Sequence, residues 1–162
     1  VTAAVMAGTR SSDEGLRSSA TYALGVVGGA GARERLEVLC IDSADDVRYN
    51  AALGLARLSD TAAFDTLAEM LALPDVAAPA GDPEAQAERY KRAMVVVNAL
   101  KGVGLLVDQL EEQPPGGIIE AIASLRDDGI ADVRQGAVAL MRRIERLGSA
   151  PVRVLAEEPA TP

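Results

Sequence analysis

One spacing recurs along this chain and limits what it can fold into. Val47, Ala51, Leu55 and Leu58 stand at offsets 0, 4, 8 and 11. The same offsets catch Leu16, Ala20, Leu24 and Val27, thirty-one residues earlier, and Val133, Ala137, Met141 and Ile144 near the end. A weaker copy runs Arg89, Ala93, Val97 and Leu100, its first apolar place taken by Arg. On an α-helix these offsets form one stripe, and a strand's two-residue period cannot align them. A small Ala at the second place of each copy lets one helix approach the next, so the expectation is all-α, built of stacked helices.

The rest of the composition agrees. A chain of 162 residues is long enough for one domain with a sizeable core. Aromatic residues make up only 2%, so Ala and Leu must fill that core, which suits closely packed helices better than a sandwich or barrel. No stretch approaches the ~18 uncharged apolar residues of a membrane span. The nearest, residues 94–107, is interrupted by Asn98 and Lys101. A net charge of -8 leaves no basic field to displace counterions from phosphates, which argues against a nucleic-acid partner. Cys40 is alone, so no intramolecular disulfide is expected and the compartment is not fixed, the cytoplasm being the default. The chain opens on Val without a basic-then-apolar leader, as expected of a piece of a longer protein.

Helix signals then divide the chain. The helices expected are 16–27, 32–41, 46–58, 62–73, 83–100, 118–125 and 131–147, after an N-terminal helix end at 1–8. Gly28 and Gly29 end the first, and Ser43-Ala44-Asp45-Asp46 starts the third. A kink is expected around Gly102 and Gly104, past which the helix continues or restarts to Glu112, with Pro114-Pro115-Gly116-Gly117 as the stop. Shifting by thirty-one residues also superimposes Leu36 on Leu67, Leu39 on Met70 and Cys40 on Leu71, which marks a duplicated helix–turn–helix unit. The units expected are 1–14 (partial), 15–44, 45–75, 83–128 and 129–148 (partial), with 149–162 as a flexible tail. Within that tail VRVLA (152–156) has the character to lie on the open face of the last helix. Residues 73–87, rich in Pro and Ala, interrupt the rhythm as a surface insertion, and loops of that length are often functional.

The strings LRSSATYALG (16–25), VRYNAALGLARL (47–58) and VRQGAVALMRRI (133–144) resemble HEAT repeats, most closely the short HEAT-like class named after phycobilisome lyases. The third copy departs from the pattern at Arg89. The resemblance implies an α-α superhelix, a solenoid of about four helix pairs whose second helices line a concave surface. On that surface the polar positions would be Arg33, Glu34, Glu37, Asp65, Glu69 and Glu120, a mostly acidic strip suited to a basic or mixed-charge protein segment. Arg17, Arg48 and Arg134 recur in first turns, where the helix dipole disfavours a cation, so each should have a local partner. Asp45 or Asp46 is expected for Arg48, and Asp132 or Asp128 for Arg134.

Chemistry is harder to find. The chain has no histidine, which removes imidazole ligation, the commonest general base and Ser–His or Cys–His activation. It also lacks the paired His-Glu motifs of the di-iron hydroxylase that the HEAT-like resemblance includes. Cys40 reads as core filler, Tyr22, Tyr49 and Tyr90 as packing residues, and the acid pairs as solvated surface. No catalytic residue, cofactor or metal is expected. The function expected is a non-catalytic protein–protein interaction scaffold, with self-association through an uncapped end whose apolar face is exposed. The alternative is a bilin lyase-like or accessory subunit acting on a chromophore-carrying protein, as the nearest named class suggests.

Overall fold

The computed structural model describes residues 2–149. Among them every regular element is helical: α1 (Thr2–Gly8), α2 (Glu14–Val27), α3 (Ala32–Leu39), α4 (Asp45–Arg57), α5 (Phe64–Leu71), α6 (Pro83–Leu110), α7 (Gly116–Ser124) and α8 (Ala131–Ser149). Short 3-10 turns at Thr61–Ala63 and Leu125–Asp127 flank α5 and α7. The fold is all-α. Gly148 and Ser149 belong to α8, and the remainder of the expected tail, VRVLA included, lies outside the described residues.

Local chemistry explains the starts and stops. Asp13 caps α2, its Oδ1 accepting from the Leu16 amide at 2.7 Å. Asp82 does the same for Ala85 at 3.0 Å, with Pro83 at the first helical position. Gly28 ends α2 at φ 63, a backbone conformation that costs other residues more. α6 ends within two residues of the expected Glu112. It stops at Glu111, itself at φ 53, while Gly116 and Gly117 form the first turn of α7 behind Pro115. Gly102 and Gly104 do not break α6, which runs unbroken for 28 residues. They are small because neighbours crowd them. A Cβ on Gly102 would lie 2.9 Å from a Leu67 methyl, and one on Gly104 would lie 3.1 Å from the Arg143 guanidinium.

Helices α2, α4, α6 and α8 each pack on the next, while α3, α5 and α7 close against this row and α5 touches α7. The two copies thirty-one residues apart therefore do lie side by side. Their closest approach is glycine on glycine: a Cβ on Gly25 would sit 2.6 Å from the Gly54 Cα. Asn50 of α4 donates across the same seam to Ser18 Oγ at 3.0 Å.

The stripe holds at its centre and fails at its edges. Ala20, Leu24, Val47, Ala51, Leu55, Val133, Ala137 and Ile144 are buried, but Leu16, Val27 and Leu58 are exposed. Val27 ends α2 and Leu58 lies just past α4, so the fourth offset falls where the chain turns away. In α8, which continues to Ser149, the same offset keeps Ile144 inside. In α6 the buried stripe is Arg92, Val96, Leu100 and Val103, three residues later than Arg89, Ala93, Val97 and Leu100. An Arg does take the first place, but it is Arg92.

α6 also corrects the reading of membrane spans. By length and a mean hydropathy of 1.5 it is long and apolar enough to cross a bilayer, with half of that window buried. Its buried apolar positions face α4, α5 and α8, while Met94 is exposed.

Candidate functional site

The recurrent arginines reach backwards, over the loop that precedes each helix. Arg17 Nη1 donates to the Ser11 carbonyl at 2.9 Å, Arg48 Nη1 to the Asp42 carbonyl at 3.0 Å, and Arg134 Nη1 to the Asp128 carbonyl at 2.6 Å. Each bond spans six residues. Two of the accepting residues are further tied. Asp42 Oδ1 accepts from its own loop at the Ala44 amide, and its carboxylate takes a two-pronged bond from Arg17 at 2.8 and 2.9 Å. Asp128 repeats this arrangement: Oδ1 accepts from Ile130, and the carboxylate pairs with Arg92. Each Asp thus joins its own helix start to an arginine of the preceding helix in the row. The Arg17 fork holds the Asp42 carboxyl below the usual carboxylate range, and Asp42 in turn raises Arg17.

The partners expected for these arginines are therefore only partly the real ones. Arg48 does pair with Asp45, at 2.9 Å, but also with Glu69 of α5. Arg134 uses the Asp128 backbone, because the Asp128 carboxylate is occupied by Arg92. The signal available in the sequence was the six-residue spacing Asp42–Arg48 and Asp128–Arg134, with Ser11 in the place of Asp before Arg17.

Arg92 positions a hollow. Its Nε and Nη2 donate to the Leu73 carbonyl at 3.1 and 3.0 Å while Nη1 meets Asp128, which pins the start of the loop between α5 and α6. Beneath that loop, between the first turns of α4 and the first half of α6, lies a cavity of about 260 Å³. Tyr49, Leu73, Pro74, Val76 and Val95 give it apolar walls; Asp45, Asp46, Glu88 and Lys91 carry the charge at its edge. Asp45 is already bound to Arg48, which leaves Asp46 and Glu88 as carboxylates without an ion pair among the described residues. The Tyr49 ring lies 5.8 Å from the Arg48 guanidinium, and its hydroxyl donates to Glu69 Oε1 at 3.3 Å. Burial, then the negative charge of Glu69, push the Tyr49 hydroxyl up to about 12. Hydrogen bonding to Glu69 raises Arg48 likewise.

Three residues of the expected strip take part in the same kind of pairing. Arg33 bonds to Asp60 and to Glu37 at 3.4 Å, and Glu69 is committed to Arg48 and Tyr49. Glu34, Asp65 and Glu120 are exposed and make no ion pair among the described residues. Arg33, Glu37 and Glu69 thus also serve contacts within the chain while remaining exposed. Of the tyrosines only Tyr49 packs inside; Tyr22 lies against Arg57 at the surface and Tyr90 is 68% exposed. Cys40 is half-buried, and desolvation raises its thiol against a hydrogen bond to Thr66 that lowers it. A thiol held protonated is a poor nucleophile. Among the described residues no three Cys, Asp or Glu side chains converge as metal ligands would.

Compared with protein-family models and with curated proteins, the sequence matches none.

Proposed function

We propose that this chain is a non-catalytic interaction module, a short HEAT-like α-α superhelix that captures a basic or mixed-charge segment of a partner protein. Three things support the superhelical part of this reading: the thirty-one-residue repeat, the sequential packing of α2, α4, α6 and α8, and the duplicated Asp–Arg tie at Asp42 and Asp128. A repeat of this kind spends its residues on neighbour contacts and offers surface in return.

The observation that carries the binding part is the hollow beneath the 72–82 loop. Apolar walls with two uncommitted carboxylates at the edge suit the aliphatic stem and cationic head of a Lys or Arg side chain. Arg92 and Asp128 hold the loop in place before any partner arrives, which reduces the ordering cost of capture. Nothing in the hollow resembles a nucleophile with its base.

The test is a fluorescence-anisotropy titration with a labelled Lys/Leu peptide, comparing the native chain with an Asp46→Lys/Glu88→Lys variant. The expected outcome is saturable binding that the variant weakens about tenfold or more. Equal binding by both would remove the hollow from the reading; absence of binding by the native chain would remove the basic segment.

A further inference from the structure

Among the described residues, this acidic chain gathers arginines without carboxylate partners along one face of α8. Outward from the apolar stripe of α8, a groove of about 370 Å³ is lined by Arg126, Arg134, Gln135, Val138, Ala139 and Arg142. No carboxylate among the described residues lines it. Arg126 and Arg142 make no ion pair or side-chain hydrogen bond among the described residues, and Arg134 spends one N–H on the Asp128 carbonyl. Elsewhere Arg17, Arg33, Arg48, Arg92 and Arg143 find carboxylates, while Arg10, Arg35, Arg57 and Arg146 make no ion pair among the described residues but do not gather in one groove with these three. With 24 acidic residues against 16 basic ones, partners for a surface arginine are in excess. Yet the acids nearest in sequence, Asp127, Asp132 and Glu145, do not line this groove.

The face was expected to be apolar and is not. Val133, Ala137, Leu140 and Ile144 of α8 are all turned inward, and neither α1 nor α8 contributes a large exposed apolar side chain among the described residues. What the groove offers is guanidinium forks, which match carboxylates in a two-pronged geometry, over a small apolar floor of Val138 and Ala139.

We propose that this face of α8 docks an acidic helical segment of a protein partner, its carboxylates seated against Arg126, Arg134 and Arg142. Arg134 and Arg142 are eight residues apart, about 12 Å along the helix axis. A helix with glutamates at i, i+4 and i+8 presents carboxylates over the same length. Nucleic acid fits less well, since the groove has no aromatic ring for base stacking and the whole chain is anionic. The groove is separate from the hollow under the 72–82 loop, and neither site depends on the other being occupied.

The experiment titrates the chain into a fluorescein-labelled alanine-based helix carrying glutamates at i, i+4 and i+8. Binding should be saturable, weaken as salt rises, and fall about tenfold or more in Arg126→Glu/Arg142→Glu, a pair chosen to spare the Arg134–Asp128 bond. A version of the peptide with lysines in place of glutamates should bind that variant better than it binds the native chain, which distinguishes lost complementarity from lost folding. Three outcomes would overturn the proposal: no binding of the glutamate peptide, equal binding of its glutamine counterpart, or displacement by an oligothymidylate at equal concentration. Failure here would leave the lysine-peptide result at the hollow standing, and the reverse.

Discussion

At the scale of single residues, two aspartates carry more of this molecule than their spacing first suggests. Asp128 is 2% exposed and Arg92 7%, so their charges have left water and depend on each other. Asp128→Ala strands the Arg92 guanidinium and removes the side-chain acceptor of the Ile130 amide, while the Arg134 bond to the backbone carbonyl of residue 128 can stay. The expected loss is about 3–5 kcal/mol in a urea titration, and a loss under ~1 would contradict a buried pair. Asp42 makes the same connections nearer to solvent, and its effect is best seen through pH. Its folded carboxyl titrates below the unfolded one, so its contribution is present above about pH 4 and drains as pH falls through the lowered value. The stability difference between the native chain and Asp42→Asn should therefore shrink in acid; a constant gap would mean the Arg17 fork contributes nothing. Tyr49 works at the other end of the scale. Its hydroxyl is pushed up to about 12, whereas an unfolded tyrosine ionises near 10. Native stability should fall as pH rises between those values, and Tyr49→Phe should remove that part of the fall.

At the scale of elements, helix contacts are set by what is absent from them. Gly54 is packed so tightly that a Cβ would meet the Gly25 Cα at 2.9 Å and Leu36 methyls at 3.0 and 3.1 Å. Gly54→Ala should cost about 1–3 kcal/mol, because backbone on the other side cannot move aside. Gly117, in the first turn of α7 with nothing within 4 Å, should gain about 0.4–1 kcal/mol as Ala. Thermal unfolding of the two variants checks both signs. These glycines also mark where sequence reasoning stopped. Offsets in Ala and Leu were enough to place α2, α4 and α8 to within two or three residues, since burial on one stripe is a periodic demand. Gly102 and Gly104 read as a kink, and the sequence does not show that Leu67 and Arg143 also crowd those positions, because both neighbours are distant in the chain. α6 was misaligned by three residues for a related reason: a stripe with a buried Arg at its head can be recognised only when the Asp128 that neutralises it is known. The hollow under the 72–82 loop shows the same divide. Its loop was legible as an interruption, but its walls come from α4 and α6, forty residues apart, and no local pattern joins them.

At the scale of the molecule, contacts are unevenly shared, and stability should follow them. α4 is touched by α2, α3, α5 and α6, and α6 by α4, α5 and α8, whereas α1 rests on α2 alone among the larger contacts. In a fold whose layers lean on their neighbours, opening an end exposes one interface and opening the middle exposes several. Native-state hydrogen exchange should therefore be graded. Amides around Leu55 and Val103 should exchange only through global unfolding, and those of α1 and the last turns of α8 through cheaper local openings. The Asp–Arg ties sharpen the expectation, because Asp42 fastens the first turn of α2 to the start of α4 and Asp128 fastens the first half of α6 to the start of α8. Asp128→Ala should loosen α8 while leaving the protection of α2 against α4 in place, whereas Gly54→Ala should lower protection on both sides of that seam. Uniform protection from α1 to α8, moved equally by both variants, would mean a single cooperative core and would sink the superhelical reading along with the neighbour-by-neighbour energetics it implies.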